Sequence, residues 1–270
     1  MPDRRAQRRK NTLRTAAAGL IVCLLAGIAS SQTGNRSRDT REDSPEAEFH
    51  MARMIYRGLG GAGSRGFINP YWAIDYPMAE AHFLPALRRL TNLSVADDSR
   101  HLEVTDDRIF DYPFLFLQQV GHWHPSSQEA ARLKEYLLRG GFLLVDDFHG
   151  EYDWSIFQSA MQQVLPDRPI VEIPEDDPLM HVFFDLDQRI QIPGRRHLRW
   201  GRGGQIVAQM AGRPHWRGIY DDHDRLMVAI NLNIDMGDAW EHADDPYYPG
   251  PMTALAYSLG VNYVIYAMTH

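Results

Sequence analysis

Residues 140–150 read Gly-Gly-Phe-Leu-Leu-Val-Asp-Asp-Phe-His-Gly, a glycine turn followed by four apolar residues and then by polar side chains. An apolar run this short is typical of a strand that is covered on both faces, which indicates a parallel sheet. Ligands of such sheets bind where the strands end, at the carboxyl edge. We therefore expect Asp146, Asp147 and His149 to lie at a candidate site.

The residues before this strand predict a complete β-α-β unit. Residues 114–120 read as another buried strand, and the loop after it carries His122 and His124. Ser126 and Glu129 have the spacing of a capping box, which opens a helix that ends before Gly140. The two strands of such a unit are normally parallel, so the polar residues after both should share one edge of the sheet.

The rest of the chain adds further helices and strands to this unit. A first strand is expected over 49–57, and helices are expected over 79–93, 154–165 and 253–268. Additional strands, some antiparallel and peripheral, are expected over 169–173, 189–192, 205–210, 216–220 and 226–232. The pattern therefore predicts an α/β domain.

The N-terminus has the composition of an export signal. Residues 1–32 contain a basic segment, an uncharged run and a small-residue end, and residues 33–47 read as a flexible polar linker before a domain over 48–270. The uncharged run is shorter than the ~20 residues that span a bilayer, which favours a cleaved signal peptide. A membrane anchor through residues 13–29 is the alternative. Either way we expect a periplasmic or other extracytoplasmic location.

Charge and cysteine usage exclude several classes of function. The formal net charge is −7 although the N-terminus is basic, so the folded part is acidic and a nucleic-acid partner is not expected. Cys23 is the only cysteine and lies in the signal segment. A disulfide framework and a cysteine nucleophile are therefore excluded from the mature domain.

Two of the polar loops suggest a metal site. His122 and His124 alternate, so both would face one way in extended backbone, and Asp147 and His149 follow the neighbouring strand. These four side chains are candidate ligands for zinc or a similar divalent ion that would activate water for hydrolysis. Structural packing, with Asp147 capping a turn and Asp146 paired with an arginine, is one alternative. Metal-free ligand binding is the other.

Two further loops carry candidate ligand-binding residues. The glycine-rich loop over 58–63 matches Gly-x-Gly-x-x-Gly, but no helix can open after it, so no nucleotide is expected. The alternatives are a flexible loop and a small-anion contact through Gly60 and Arg65. Asn231, Asn233 and Asp235 are expected on one side of a strand. The register of this segment does not fit a calcium loop, which leaves a hydrogen-bonded turn with Asp235, Asp238 and Glu241 lining a pocket.

Several motifs together resemble a bacterial family described as domain of unknown function 4159. They are Tyr56-Arg57-Gly58 and residues 111–115, 139–150, 225–228, 235–241 and 260–267. The resemblance implies a class I glutamine amidotransferase-like fold, with a flavodoxin-like, doubly wound, mainly parallel sheet, and a distant likeness to trehalose-utilisation-like proteins. Such amidotransferases carry a cysteine after the buried strand, where this chain has Asp146 to His149. The resemblance therefore implies no glutaminase activity.

These observations leave two functional hypotheses. The first is an exported domain that binds a small polar ligand, or a protein partner in the cell envelope, at the carboxyl edge of the sheet. The alternative is a metal-dependent hydrolase acting on a carbohydrate or another envelope substrate, with Asp146 or Glu241 as the base and Asp147 and His149 near the metal.

Overall fold

A seven-stranded sheet forms the centre of the computed structural model, which describes residues 47–58, 71–203 and 205–270. Its strands are β1 (Ala52–Ile55), β2 (Arg100–Glu103), β3 (Phe114–Gln118), β4 (Phe142–Phe148), β5 (Val171–Glu172), β8 (His215–Tyr220) and β9 (Leu226–Leu232). A separate antiparallel hairpin consists of β6 (Leu198–Trp200) and β7 (Ile206–Ala208).

The order across the large sheet is β2-β1-β3-β4-β9-β8-β5. The first five strands in this order are parallel, whereas β8 runs antiparallel to β9 and β5 runs antiparallel to β8. This arrangement confirms the prediction of a mainly parallel α/β sheet with peripheral antiparallel strands.

Helices cover both faces of this sheet. They are α1 (Met78–Thr91), α2 (Ser127–Leu138), α3 (Gly150–Val164), α4 (Met236–Glu241) and α5 (Gly250–Thr269). Alternate residues of β3 and β4 enter two separate apolar clusters, one shared with α1 and α5 and the other with α2 and α3. Both faces of the central strands are therefore buried, which explains their continuous apolar runs.

The β3-α2-β4 unit forms as its local sequence signals predict. Ser126 accepts a hydrogen bond from the backbone N–H of Glu129, and the Glu129 side chain accepts one from the backbone N–H of Ser126, which completes the capping box. Gly140 ends the helix with a φ of 107°, and a side chain at Gly141 would overlap the Tyr136 ring. The glycine pair is therefore needed for the chain to enter β4.

Two expectations about the second half of the chain are wrong, and two elements were not expected. Residues 189–192 form no strand, because the backbone carbonyl of Ile192 accepts instead from the backbone N–H of Asp235 at 2.9 Å. β9 ends at Leu232 and the chain turns at Asn233 with a φ of 59°, so Asn231, Asn233 and Asp235 do not share one side of a strand. β2 and α4 were not expected, since β2 buries only Leu102 and α4 is short.

Within the ranges that the structure describes, no helix has the length and apolar character needed to cross a membrane. The predicted signal segment over residues 1–32, and the predicted linker over 33–47 except its last residue, lie outside the described residues.

Candidate functional site

The candidate site lies where β3, β4 and β9 end, beside the short α4 helix. Asp146 at the end of β4 is fully buried and accepts hydrogen bonds from the backbone N–H groups of Met236 at 2.7 Å and Gly237 at 3.1 Å, and from Asn231 Nδ2 at 3.1 Å. Burial, with the nearby charge of Asp147, raises the pKa of Asp146 to about 8 in spite of these bonds. Asp146 therefore holds α4 against β9. The expectation that Asp146 pairs with an arginine is wrong.

The side chain of Asp147 has different partners from that of Asp146, because the β4 backbone is irregular at this point. The ladder between β4 and β9 shifts register between Val145 and Phe148, and Asp147 adopts a left-handed φ of 53°. Its side chain accepts a hydrogen bond from Gln119 Nε2, and its Oδ1 lies 2.9 Å from His149 Nε2. An ionised Asp147 fixes the proton of His149 on Nε2. Nδ1 of His149 is buried and has no hydrogen-bond partner among the residues that the structure describes.

Asp235 and Asp75 bring two more buried carboxylates to the same place. Asp235 caps α4 by accepting from the backbone N–H of Asp238 at 2.9 Å, and Asp75 accepts from Gln118 Nε2 at 2.8 Å. Burial is the main cause that raises the pKa of both groups, and the charges of Asp147 and Asp238 raise both further. When these carboxylates are ionised, their negative charges therefore repel one another.

Three groups of candidate metal ligands occur in the described part of the chain. One consists of Asp147, His149 and Asp235, and another of Asp75, Asp235 and Asp238, so Asp235 belongs to both. Within each group the ligand atoms lie within 4.8 Å of one another. The third group is Asp238, Glu241 and His242, at the more exposed end of α4. We call the residues of the first two groups, Asp75, Asp147, His149, Asp235 and Asp238, the acidic cluster.

The nearest buried positive side chain does not neutralise the negative charge of the acidic cluster. Arg53 on β1 is the only fully buried arginine or lysine among the described residues, and it forms an ion pair with both carboxylate oxygens of the buried Glu80. The same guanidinium donates to Gln118 Oε1, whose amide nitrogen in turn donates to Asp75. Arg53 is therefore coupled to the cluster by hydrogen bonds, but its charge is already matched by Glu80.

The structure does not bring His122 and His124 into this cluster. His122 ends a 3-10 turn over Val120–His122 and stacks on Tyr71 at 3.7 Å between ring centroids, whereas His124 lines a shallow groove with residues of α3. The expected extended backbone is replaced by this turn, so the two imidazoles do not project together. Asp235 completes the group with Asp147 and His149 instead. Gly60 and Arg65 lie outside the described residues.

Two glycines of the site had no recognisable signal in the sequence. A Cβ atom at Gly194 would lie 2.5 Å from Asp235 Oδ2, and one at Gly237 would overlap Asp75 and Gln118. At both positions the absence of a side chain lets the backbone lie close to a carboxylate group. Asp75 was also missed, because it stands in a loop without periodicity.

The whole acidic cluster falls within a region that matches one family model. The model described as a domain of unknown function (DUF4159) matches residues 50–268. The chain belongs to this DUF4159 family. No curated protein matches the sequence. The DUF4159 description names no activity, so the function of the domain has to be argued from its site.

Proposed function

We propose that this DUF4159 protein is an exported, amidotransferase-like domain without glutaminase activity, which binds a small polar ligand through a divalent cation. A flavodoxin-like fold is supported by the five parallel strands, whose order β2-β1-β3-β4-β9 corresponds to the 2-1-3-4-5 order of doubly wound sheets. The amidotransferase likeness comes from the sequence motifs. The segment from Asp146 to His149 offers carboxylates and an imidazole in place of a cysteine.

The observation that carries the cation is the placement of the acidic cluster. Asp147 and Asp235 are almost completely buried, and a bare carboxylate in such surroundings is strongly disfavoured. Protons or a metal ion are the two ways to reduce this repulsion. Carboxylate oxygens with one imidazole suit manganese, zinc or a similar divalent ion. A cation with three protein ligands keeps open positions for oxygens of a ligand.

Cation binding should be measurable on the full chain after treatment with a chelator. We expect heat on titration with manganese or zinc and a rise in melting temperature, because a ligand at 100 times its Kd stabilises a protein by about 2.7 kcal/mol. Asp235→Asn should weaken the binding at least tenfold, since Asp235 belongs to both groups. The control Asp187→Asn removes an exposed carboxylate that is distant in sequence from Asp235. Absence of both heat and thermal shift would contradict the proposal.

Metal-assisted hydrolysis is a second candidate, favoured by Glu241. This residue lies on α4 beside Asp238, and burial is the main cause that raises its pKa. The pKa of Asp146 is raised as well, but both of its oxygens already accept hydrogen bonds, so Glu241 is the better candidate for a general base.

Hydrolysis can be tested with chromogenic glycosides and esters in the presence of manganese. We expect Glu241→Gln to lower kcat by roughly 10²–10⁴-fold, the usual contribution of a general base, while cation affinity stays the same. Glu151→Gln, at an exposed position on α3, is the matched control. Turnover that is equal in both variants would rule out Glu241 as the base, and no turnover on any substrate would leave ligand binding as the function.

The envelope location of this domain is inferred from residues 1–47 alone. Fractionation of cells that produce the full chain tests it, and recovery of the protein in the cytoplasm at full length would contradict export. Such a result would leave the cation site untouched.

A further inference from the structure

A strongly basic segment stands out in this acidic chain. The formal net charge is −7, yet residues 188–220 contain no aspartate or glutamate. The same residues carry seven arginines and two histidines, namely Arg189, Arg195, Arg196, His197, Arg199, Arg202, Arg213, His215 and Arg217. The β6–β7 hairpin lies inside this segment, so the positive charge is concentrated in one part of the fold.

Three of these arginines have structural partners. Arg189 donates to the backbone carbonyls of Ile173 and Pro174, Arg195 pairs with Asp245, and Arg217 pairs with Glu172. Each of these contacts ties the segment to the rest of the domain.

The other four arginines have no matching negative charge. Arg196, Arg199, Arg202 and Arg213 are exposed, and none forms an ion pair with a carboxylate of the described residues. Unbalanced guanidinium groups of this kind are suited to bind carboxylate or phosphate.

Two of the four arginines are linked to the candidate site, each through one other residue. Arg196 Nε donates to His197 Nε2 at 2.9 Å, and the His197 ring lies 5.2 Å from the ring of His149. The backbone carbonyl of Arg213 accepts from Asn233 Nδ2 at 2.9 Å, and Asn233 Oδ1 accepts from the backbone N–H of Gly150. The Arg196 side chain, through His197, and the Arg213 backbone, through Asn233, are therefore both linked to the His149–Gly150 turn.

We infer that the ligand of this site is an oxyanion, and that Arg196, His197 and Arg213 form an anion subsite beside the acidic cluster. The inference rests on the proposed function, because the cation would hold one oxygen of the ligand while the arginines hold others. Without the cation, the cluster would repel such a ligand. His197 supports this position. Its Nε2 accepts a hydrogen bond from Arg196, which leaves the ring proton on Nδ1, and this buried Nδ1 has no hydrogen-bond partner among the described residues. A bound ligand would supply one.

The test uses the full chain, with methylphosphonate and succinate as anionic probes and erythritol as a neutral probe of similar size. In the presence of saturating manganese we expect calorimetric binding of at least one anion and none of erythritol. The double variant Arg196→Gln, Arg213→Gln should lose at least tenfold in anion affinity. Preference for one of the two anions would identify the phosphate-like or the carboxylate class. Arg89→Gln, at an exposed position on α1, is the matched control.

The outcomes separate this inference from the cation proposal. Cation binding without any anion binding, or equal anion affinity in the wild type and the double variant, would overturn the subsite and leave the cation site standing. Anion binding that is lost in the double variant, but that needs no cation, would keep the subsite and contradict the cation proposal. Circular dichroism of each variant checks that the fold is retained.

Discussion

Replacement of Arg53 by methionine should lower the free energy of unfolding by about 3–5 kcal/mol, the usual result of removing one partner of a buried ion pair. Glu80 is almost completely buried and would be left without its counter-ion. Gln118 and the backbone carbonyls of Trp72 and Ile74 would also lose their donor. Chemical denaturation followed by tryptophan fluorescence measures the change.

Two further variants make this result specific to the buried pair. Arg88→Met removes a pair with Asp97 that is largely exposed, and such pairs contribute about 0–1 kcal/mol. The double variant Arg53→Met, Glu80→Leu should recover much of the loss, because both charges are then absent. Equal effects of Arg53→Met and Arg88→Met would contradict the assignment. If Arg53→Met does not fold, the stability of the double variant still decides it.

The second large effect is an unusual dependence of stability on pH. In the cation-free protein the free energy of unfolding should rise as the pH falls from about 8 toward 5. The pKa of Asp146 is about 8 in the folded protein, against an ordinary value of 3.8, so the folded state takes up a proton in this range and the unfolded state does not. The protonated form is the stable one, and its stability is lost as the pH rises through the folded pKa.

The expected slope has an upper limit of about 1.4 kcal/mol per pH unit for each carboxyl group that behaves in this way. Burial raises the pKa of Asp75 and Asp235 in the same direction, so their effects add to that of Asp146. Denaturation curves between pH 5 and pH 8.5, with a chelator present, measure the slope.

Asp146→Asn should lower the slope of this dependence, because it removes one of the groups that take up a proton. Asp97→Asn, at an exposed carboxylate, should leave it unchanged. Added manganese should stabilise the protein most at the alkaline end, where protons compete least for the ligands. A free energy of unfolding that decreases steadily as the pH is lowered from 8 to 5 would contradict the raised pKa values.

The parts of the fold that could be predicted are those with local signals. The β3-α2-β4 unit combines two buried apolar runs with a capping box, and each signal depends only on neighbouring residues. The edge strand β2 has a single buried residue and gives no such pattern. The sheet order and the pairing of β4 with β9 depend on contacts between distant residues, so periodicity alone does not reveal them.

The site shows the same limit. Asp147 and His149 could be picked out because they end a recognisable strand, and Asp235 and Asp238 because they stand in a polar segment. Asp75 could not, because it comes from a loop whose position depends on tertiary packing. His122 and His124 were misplaced because the alternation rule assumes extended backbone, and the chain forms a 3-10 turn there. Chemistry could be predicted for residues on strands, but proximity could not be predicted for residues in turns.

The pairing of β4 with β9 also determines when the site comes into being. Residues 149–225 separate these neighbouring strands, and closing so long a loop is a slow, non-local event in folding. Before β9 pairs with β4, one edge of β4 is exposed to solvent. Water then reaches Asp146, Asp147 and His149, so the carboxylates do not yet repel one another in a buried site. The aspartates of the unfolded chain therefore have ordinary, hydrated surroundings, and the acidic cluster forms only when β9 and the residues through Asp238 have packed against β4.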